Sequence, residues 1–275
     1  MKFINLCYMS NSQFIVDGKE FPKDTPYPKL RRIVHSKYLD VFAVSIILVT
    51  SISLGYHKTF YFESAPLFNI QYEEWLGMLS KGAFPLGVFS IVVACFSMMS
   101  ARLICKQSNW GNIIGIFTTI CVCFIDFALG NESAWITYPV TFVLSIYGSV
   151  KWSKGVLIRQ RDQLYFWIVV IGLTLGYALT FLGFYVYDHS MEWYADLRSK
   201  LLFHSIAITF GISLVSNTAT AFKYQETWLG WLLYNIIQVI KNVLLFNWAN
   251  VGKYCFYIVN VVLTFFDWKL NKDKK

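Results

Sequence analysis

Residues 222–246 read FKYQETWLGWLLYNIIQVIKNVLLF. The stretch is apolar and long enough to cross a bilayer, whose hydrocarbon core of roughly 30 Å takes about 17 to 25 helical residues. Yet Trp228, Trp231, Asn235, Gln238 and Asn242 follow one another at steps of three or four, which lays them along one face of a helix. Amides within hydrocarbon need partners, so a run of them on one face implies neighbouring helices or a wet cavity. Taken singly, each also admits a packing reading, with amides joining helices and tryptophans forming an interfacial belt. Together on one stripe they mark the face where function is expected.

The remainder of the chain has the same character. Of its 275 residues 56% are hydrophobic and 19% aromatic, only 15% are charged, and the mean hydropathy is +0.48. A soluble domain rarely has this composition, and several apolar runs reach membrane-spanning length. The expected fold is an all-α polytopic membrane protein with about eight transmembrane helices, at 39–56, 83–104, 110–129, 135–151, 164–187, 200–221, 228–247 and 252–268. A leader at 1–38, interrupted by Pro22, Pro26 and Pro28, lacks the features of a cleaved secretory signal and is expected to be retained in the cytosol. Its basic end, KLRRIVHSK, suits anchoring against anionic lipid. The external segment 57–82 contains QYEEWLGML, expected to form a short surface helix.

Charge tests the topology. With both termini in the cytosol, most of the 24 basic residues fall on that side. The opposite segments hold Lys58, Lys81, Arg198, Lys200 and Lys253 against Glu63, Glu73, Glu74, Glu132, Asp188, Glu192 and Asp196. That asymmetry is the positive-inside pattern, so the net charge of +8 is an orientation signal and gives no reason to invoke nucleic acid. The cysteines, Cys7, Cys95, Cys105, Cys121, Cys123 and Cys255, show neither CxxC spacing nor histidine neighbours, which indicates neither a disulfide framework nor a metal site.

An internal repeat organises the spans. At an offset of 119, SARLICKQSNWGNIIG (100–115) lies beside ATAFKYQETWLGWLLY (219–234), with Gly111 meeting Gly230. The same offset lays YPVTFVLSIY (138–147) on YIVNVVLTFF (257–266). The domain reading follows: the leader 1–38, an extra N-terminal span 39–56, the external segment 57–82 and a first three-helix bundle 83–151. A basic loop, linking span and external loop (152–199) come next, then a second three-helix bundle (200–268) and a cytosolic tail (269–275). One linking span lets both bundles start from the same face, so the repeats are parallel, an architecture used by transporters that hold substrate between their halves.

The first bundle's counterpart of the opening stretch is residues 109–130, in which Asn109, Asn112 and Thr119 match Trp228, Trp231 and Gln238. Asp126 and Lys241 are ionisable residues inside spans, both toward the outer ends of equivalent helices, and are candidates for an outer gate. Snorkelling is the alternative for Lys241. The last spans add Tyr138, Thr141, Ser145 and Tyr147 in one repeat and Tyr257, Asn260 and Thr264 in the other. Aromatic faces with amides suit a flat aromatic ligand, neutral or cationic, held by stacking, cation–π attraction and a few directed hydrogen bonds. Catalysis finds little support: His35, His57, His189 and His204 are isolated, and no nucleophile elbow or metalloprotease motif occurs. At Gly18-Lys19, the one P-loop-like ending, Gln13 stands where the first glycine is required and no strand is expected before it. No cofactor is indicated.

The element Glu226-x-Trp228-x-x-Trp231-x-x-x-Asn235, preceded in the other repeat by Asn109-Trp110-Gly111-Asn112, resembles the PnuC family of bacterial vitamin transporters, especially those for nicotinamide riboside. The resemblance covers about residues 83–268, including the three-one-three plan, and the span at 39–56 fits an extra N-terminal helix that some members carry. It implies a SWEET-like fold, a homotrimer in the bacterial inner membrane, and facilitated uptake of a vitamin B3 precursor by alternating access without direct use of ATP. A separate cytosolic kinase would trap the riboside for NAD synthesis. Trp228, Trp231 and Asn235 would line the pocket and face Asn109 and Asn112. Gln238, Tyr138, Tyr147 and Asn260 join them from the stripe argument alone. Thiamine, or another nucleoside-like vitamin, is the competing substrate within the family. A non-transporting membrane scaffold is the reading from another class.

Overall fold

The computed structural model describes residues 13–16, 19–22, 26–155 and 158–271. Part of the predicted leader, including Cys7 and Gly18, and the tail at 272–275 lie outside the described residues. Two short strands come first, β1 (Gln13–Val16) and β2 (Lys19–Pro22), paired antiparallel. A strand therefore does precede Gly18-Lys19, contrary to expectation, but it turns back into a second strand rather than into the helix that a P-loop requires.

Ten helices follow: α1 (Pro28–His35), α2 (Lys37–Ser53), α3 (Trp75–Ser80), α4 (Leu86–Cys105), α5 (Trp110–Ala128), α6 (Ala134–Ser153), α7 (Gln163–Tyr187), α8 (Leu197–Ala221), α9 (Thr227–Leu244) and α10 (Trp248–Leu270). Local chemistry sets several starts. Pro28 occupies the first turn of α1, where its missing N–H costs nothing. Asp162, Asp196 and Asn247 cap α7, α8 and α10 by accepting from the amides of Tyr165, Ser199 and Asn250, which satisfies donors that would otherwise be orphaned.

Each apolar run read from the sequence falls on a long helix. Five, α4, α5, α7, α8 and α10, are long and apolar enough to cross a membrane, and a sixth span results if α1 and α2, bent by 46°, count as one. The other two, α6 and α9, carry the polar faces that lower their hydropathy. The all-α expectation needs one correction, because a second hairpin, β3 (Phe60–Phe62) with β4 (Ala65–Leu67), sits in the segment between α2 and α4. Glu63 and Ser64 connect its strands with φ of 49° and 63°, the paired positive values of a two-residue hairpin turn. Phe60 packs beneath this hairpin against the edge of Trp75 at 4.9 Å, which holds α3 in place. Another correction concerns Lys253: α10 begins before it, so this lysine lies in the helix and is buried rather than in an external loop.

The long helices pack in two sequential sets. In one, α5 lies between α4 and α6, and in the other α9 lies between α8 and α10. The sets meet reciprocally, α6 on α8 and α10 on α4, while α7 packs chiefly on α8 and leaves most of its surface open. Helix α2 lies across α4 and α10, and α1 rests on α10. One end of the molecule thus carries α1, and the other carries the segment with α3.

Glycines permit the closest approaches. A Cβ on Gly111 would stand 2.6 Å from the Ser100 carbonyl oxygen, and one on Gly230 would strike Ser216 Oγ, so the repeat-matched glycines seat α5 on α4 and α9 on α8. Between α7 and α8, Gly176 meets the backbone of Gly211 with no room for a Cβ. Replacing Gly176 by valine is expected to lower the apparent melting temperature of detergent-purified protein by several degrees, as overpacking costs about 1–3 kcal/mol. A Cβ at Gly77 meets nothing within 4 Å, so Gly77→Ala leaves that temperature unchanged.

Candidate functional site

Between the two sets, α4 to α6 on one side and α8 to α10 on the other, lies a cavity of about 230 Å³. Helix α9 turns its amphipathic stripe into it: Trp228, Trp231, Asn235 and Gln238 all line the space, with Tyr234 among them. Asn242 continues the stripe but is wholly buried, and donates to the carbonyl and side-chain oxygens of Gln238 at 2.9 and 3.0 Å. Gln238 in turn donates to the Tyr234 hydroxyl at 2.6 Å. Asn242 is therefore a support for Gln238.

Aromatic rings form a continuous wall. Trp231 stands edge-on to Tyr234 at 5.2 Å, Tyr234 to Tyr254 at 6.0 Å and Tyr254 to Tyr257 at 5.7 Å. Each ring is fixed through its neighbours, and such pairs contribute about 0.5–1.5 kcal/mol beyond area burial. Trp231 Nε1 donates to Thr220 Oγ1 at 3.2 Å, and the Tyr257 hydroxyl bonds Ser97 Oγ at the same distance.

Facing this wall are Asn112, Thr119, Tyr138, Thr141 and Ser145 from α5 and α6. Asn112 donates to Asn109 Oδ1 at 2.9 Å, and Asn109 donates to the Ser149 carbonyl at 3.1 Å. Asn109 lies outside the lining and orients Asn112 from behind. Tyr147 also lies apart, 45% exposed, where its hydroxyl accepts from Lys151 at 3.2 Å. Asn260 lines the cavity, but its amide oxygen accepts from Arg102 at 2.6 Å and its nitrogen donates to Cys105 Sγ at 3.1 Å. Thr264 is buried one turn further along and donates to the Asn260 carbonyl. Asn235 differs from all of these: it is 2% exposed, lines the cavity, and its side chain has no hydrogen-bond partner among the described residues.

The two ends differ in chemistry. Toward α1, Trp152 donates from Nε1 to the Thr220 carbonyl at 2.9 Å, and Trp268 donates to the Cys105 carbonyl at 3.1 Å. Each tryptophan ends the third helix of one set and bonds the end of the first helix of the other. Their rings approach to 6.4 Å, and Trp228 stands edge-on to Trp268 at 5.1 Å. At the opposite end Asp126 and Lys241 form a buried ion pair, Nζ to Oδ2 at 2.6 Å, joined by Tyr138 at 2.8 Å and Asn131 at 3.3 Å. Lys241 does not snorkel; it is 3% exposed.

Several participants were hidden in the sequence. Arg102, counted there as a topological charge, is fully buried and joins Asp40 of α2, the Val34 carbonyl of α1 and Asn260 of α10. The stripe read from the sequence omits Tyr234 and Tyr254, although Tyr234 falls three residues from Trp231 and four from Gln238. Trp152 and Trp268 fall outside the 119-residue register, so the repeat did not pair them. Lys253 sat too near the expected boundary of a span.

Membrane-length helices surrounding a ligand-sized cavity, with an aromatic wall and directed amides, define a polytopic small-molecule transporter. The chain belongs to the nicotinamide mononucleotide transporter family, whose model matches residues 87–270. The fold is similar to that in the crystal structure of the vitamin B3 transporter PnuC, with a TM-score of 0.52 over 73% of this chain and 92% of that one at 13% identity. No curated protein sequence matches significantly. The family is one of transporters.

Breaking the buried ion pair tests its role. Asp126→Asn leaves the Lys241 ammonium uncompensated and is expected to destabilise the protein by about 3–5 kcal/mol. Thermal unfolding of Asp126→Asn combined with Lys241→Met should recover most of that loss, because the double variant leaves neither member of the pair without its partner.

Proposed function

We propose that this protein is a facilitator that takes up nicotinamide riboside, a precursor of NAD, through the bacterial inner membrane. The observation that carries the reading is Asn235: a buried amide with no hydrogen-bond partner among the described residues, one helical turn from Trp231, inside a cavity walled by aromatic rings. A nicotinamide ring stacks on such a wall and its positive charge is attracted to the ring faces. The free amide and the nearby hydroxyls then serve the ribose. Thiamine also offers a cationic aromatic ring, and the aromatic wall suits it equally, so it is the alternative within the family.

Transport proceeds by alternating access. In this reading α6 and α9 are spans whose polar faces turn inward, which makes eight in all: α2, two parallel three-helix bundles, and α7 linking them. The excess of lysine and arginine near α1 assigns that end, and both termini, to the cytosol. The Trp152, Trp228 and Trp268 cluster then forms the cytosolic closure, and Asp126 with Lys241 forms the outer gate. Rocking of the bundles opens each in turn while the substrate stabilises an intermediate that must not be too deep to leave. Asp126 is committed to Lys241, which is consistent with transport that needs no proton relay. The lipid-facing surface of α7 remains for packing against further copies in a homotrimer, and a separate cytosolic kinase completes uptake by phosphorylating the product.

A thermal-shift titration with nicotinamide riboside, thiamine and ribose side by side tests the substrate, since a ligand of the native state raises its stability. Stabilisation by the riboside is expected, whereas stabilisation by thiamine alone replaces it as substrate. Trp231→Ala with Asn235→Ala is expected to remove at least nine-tenths of riboside uptake into proteoliposomes. Undiminished uptake by the folded double variant would overturn the site.

A further inference from the structure

The ion-paired end of the cavity contains more hydrogen-bonding capacity than the protein uses. Lys253, on α10, is 2% exposed and lines the cavity. Its Nζ lies 4.5 Å from the centroid of the neighbouring Tyr254 ring, and among the described residues it has no hydrogen bond and no ion pair. Burying an ammonium without a counter-charge or acceptor is costly, so this group is poised for something the protein itself does not contain.

Asp126 would be its natural partner, but one oxygen of that carboxylate is already crowded. Oδ2 accepts from Lys241, Tyr138 and Asn131. Oδ1 has no partner among the described residues, although Asp126 also lines the cavity. This end of the cavity therefore presents one free donor, Lys253 Nζ, and one free acceptor, Asp126 Oδ1. A phosphate would satisfy the ammonium but bring negative charge beside the free carboxylate oxygen. A neutral group carrying both an acceptor oxygen and an N–H or O–H satisfies both.

We propose that Lys253 is a substrate-contacting, specificity-determining residue, which donates to an acceptor oxygen of the transported molecule while Asp126 Oδ1 accepts from a donor on the same polar group. Two groups on a nicotinamide nucleoside have this chemistry, the primary carboxamide and the vicinal hydroxyls of the ribose. This assignment rests on the proposed nicotinamide riboside reading for the identity of the ligand but not for the state of the lysine. It also gives Asp126 two tasks, since the carboxylate that closes the outer end through one oxygen senses the ligand through the other.

Lys253→Met separates ligand recognition from architecture. Removing an unpaired buried ammonium is expected to leave the melting temperature of the ligand-free protein unchanged or raised, while riboside affinity, measured calorimetrically, falls about tenfold or more. A lower melting temperature without ligand would make Lys253 structural and overturn the proposal, and so would unaltered riboside affinity. Titrating both wild type and Lys253→Met with a pyridinium riboside that lacks the carboxamide and with the 2′,3′-dideoxy nicotinamide riboside distinguishes the sources. The group whose alteration abolishes the difference between wild type and Lys253→Met is the one that the lysine contacts. A penalty confined to nicotinamide mononucleotide would overturn the neutral-group assignment. If the wild type binds no nicotinamide compound, the substrate reading fails, and the ligand-free melting temperature alone decides whether Lys253 is structural.

Discussion

Hydrocarbon offers nothing to hydrogen-bond, and the arrangement of this molecule follows from that constraint. Every amide, hydroxyl and charge placed at membrane depth must find a partner within the protein or face an internal space. Helices α6 and α9 carry many such groups and are therefore held between neighbours, while α7, which carries few, is relegated to the outside. Gln238, Asn242, Tyr234 and Trp231 support one another before any ligand arrives. The groups left over, notably Asn235 and Lys253, mark where the protein stops satisfying itself.

Much of this was legible because helical periodicity converts sequence spacing directly into a shared face. Trp228, Trp231, Asn235 and Gln238 fall on one stripe whatever the details of packing, and the cavity is found along that stripe. Asn112, Tyr138 and Asn260 were brought in by the same argument from other helices and also line the space. Asn109 and Tyr147 show its limit. Both belong to the right elements, but a residue at the first turn of a helix, or rotated away from the neighbouring set, does not reach the centre, and one-dimensional spacing carries no information on where a helix axis lies.

Charge was harder to read. Near the end of an apolar run, a lysine or arginine at a topological boundary looks the same as one drawn inward by a carboxylate far away in sequence. Arg102 is of the second kind, with Asp40 as its carboxylate and a further partner 158 residues away, whereas Lys253 is buried with no such partner among the described residues. The paired tryptophans were obscured for a different reason. Trp152 and Trp268 perform the same task at corresponding helix ends, but a helix tolerates a shift of three residues, about one turn, without changing face. The repeat in structure is thus more faithful than the repeat in sequence.

The reciprocal seams between the two sets are not equally strong. Where α10 meets α4, the Trp268 hydrogen bond is reinforced by the Arg102 guanidinium, whose donors are divided among α1, α2 and α10. Where α6 meets α8, a Cβ on Gly148 would stand 3.5 Å from that of Ala221, and Trp152 supplies a hydrogen bond. Parting the first seam takes the Asn260 acceptor from a buried guanidinium as well as the Trp268 bond, whereas parting the second loses one hydrogen bond and the contact of Lys151 with the Phe222 ring. On the proposed alternating-access reading, the near-symmetric assembly is a door hung on one jamb: α10, α4 and the N-terminal helices would form the fixed post, and the leaf would swing at α6 and α8.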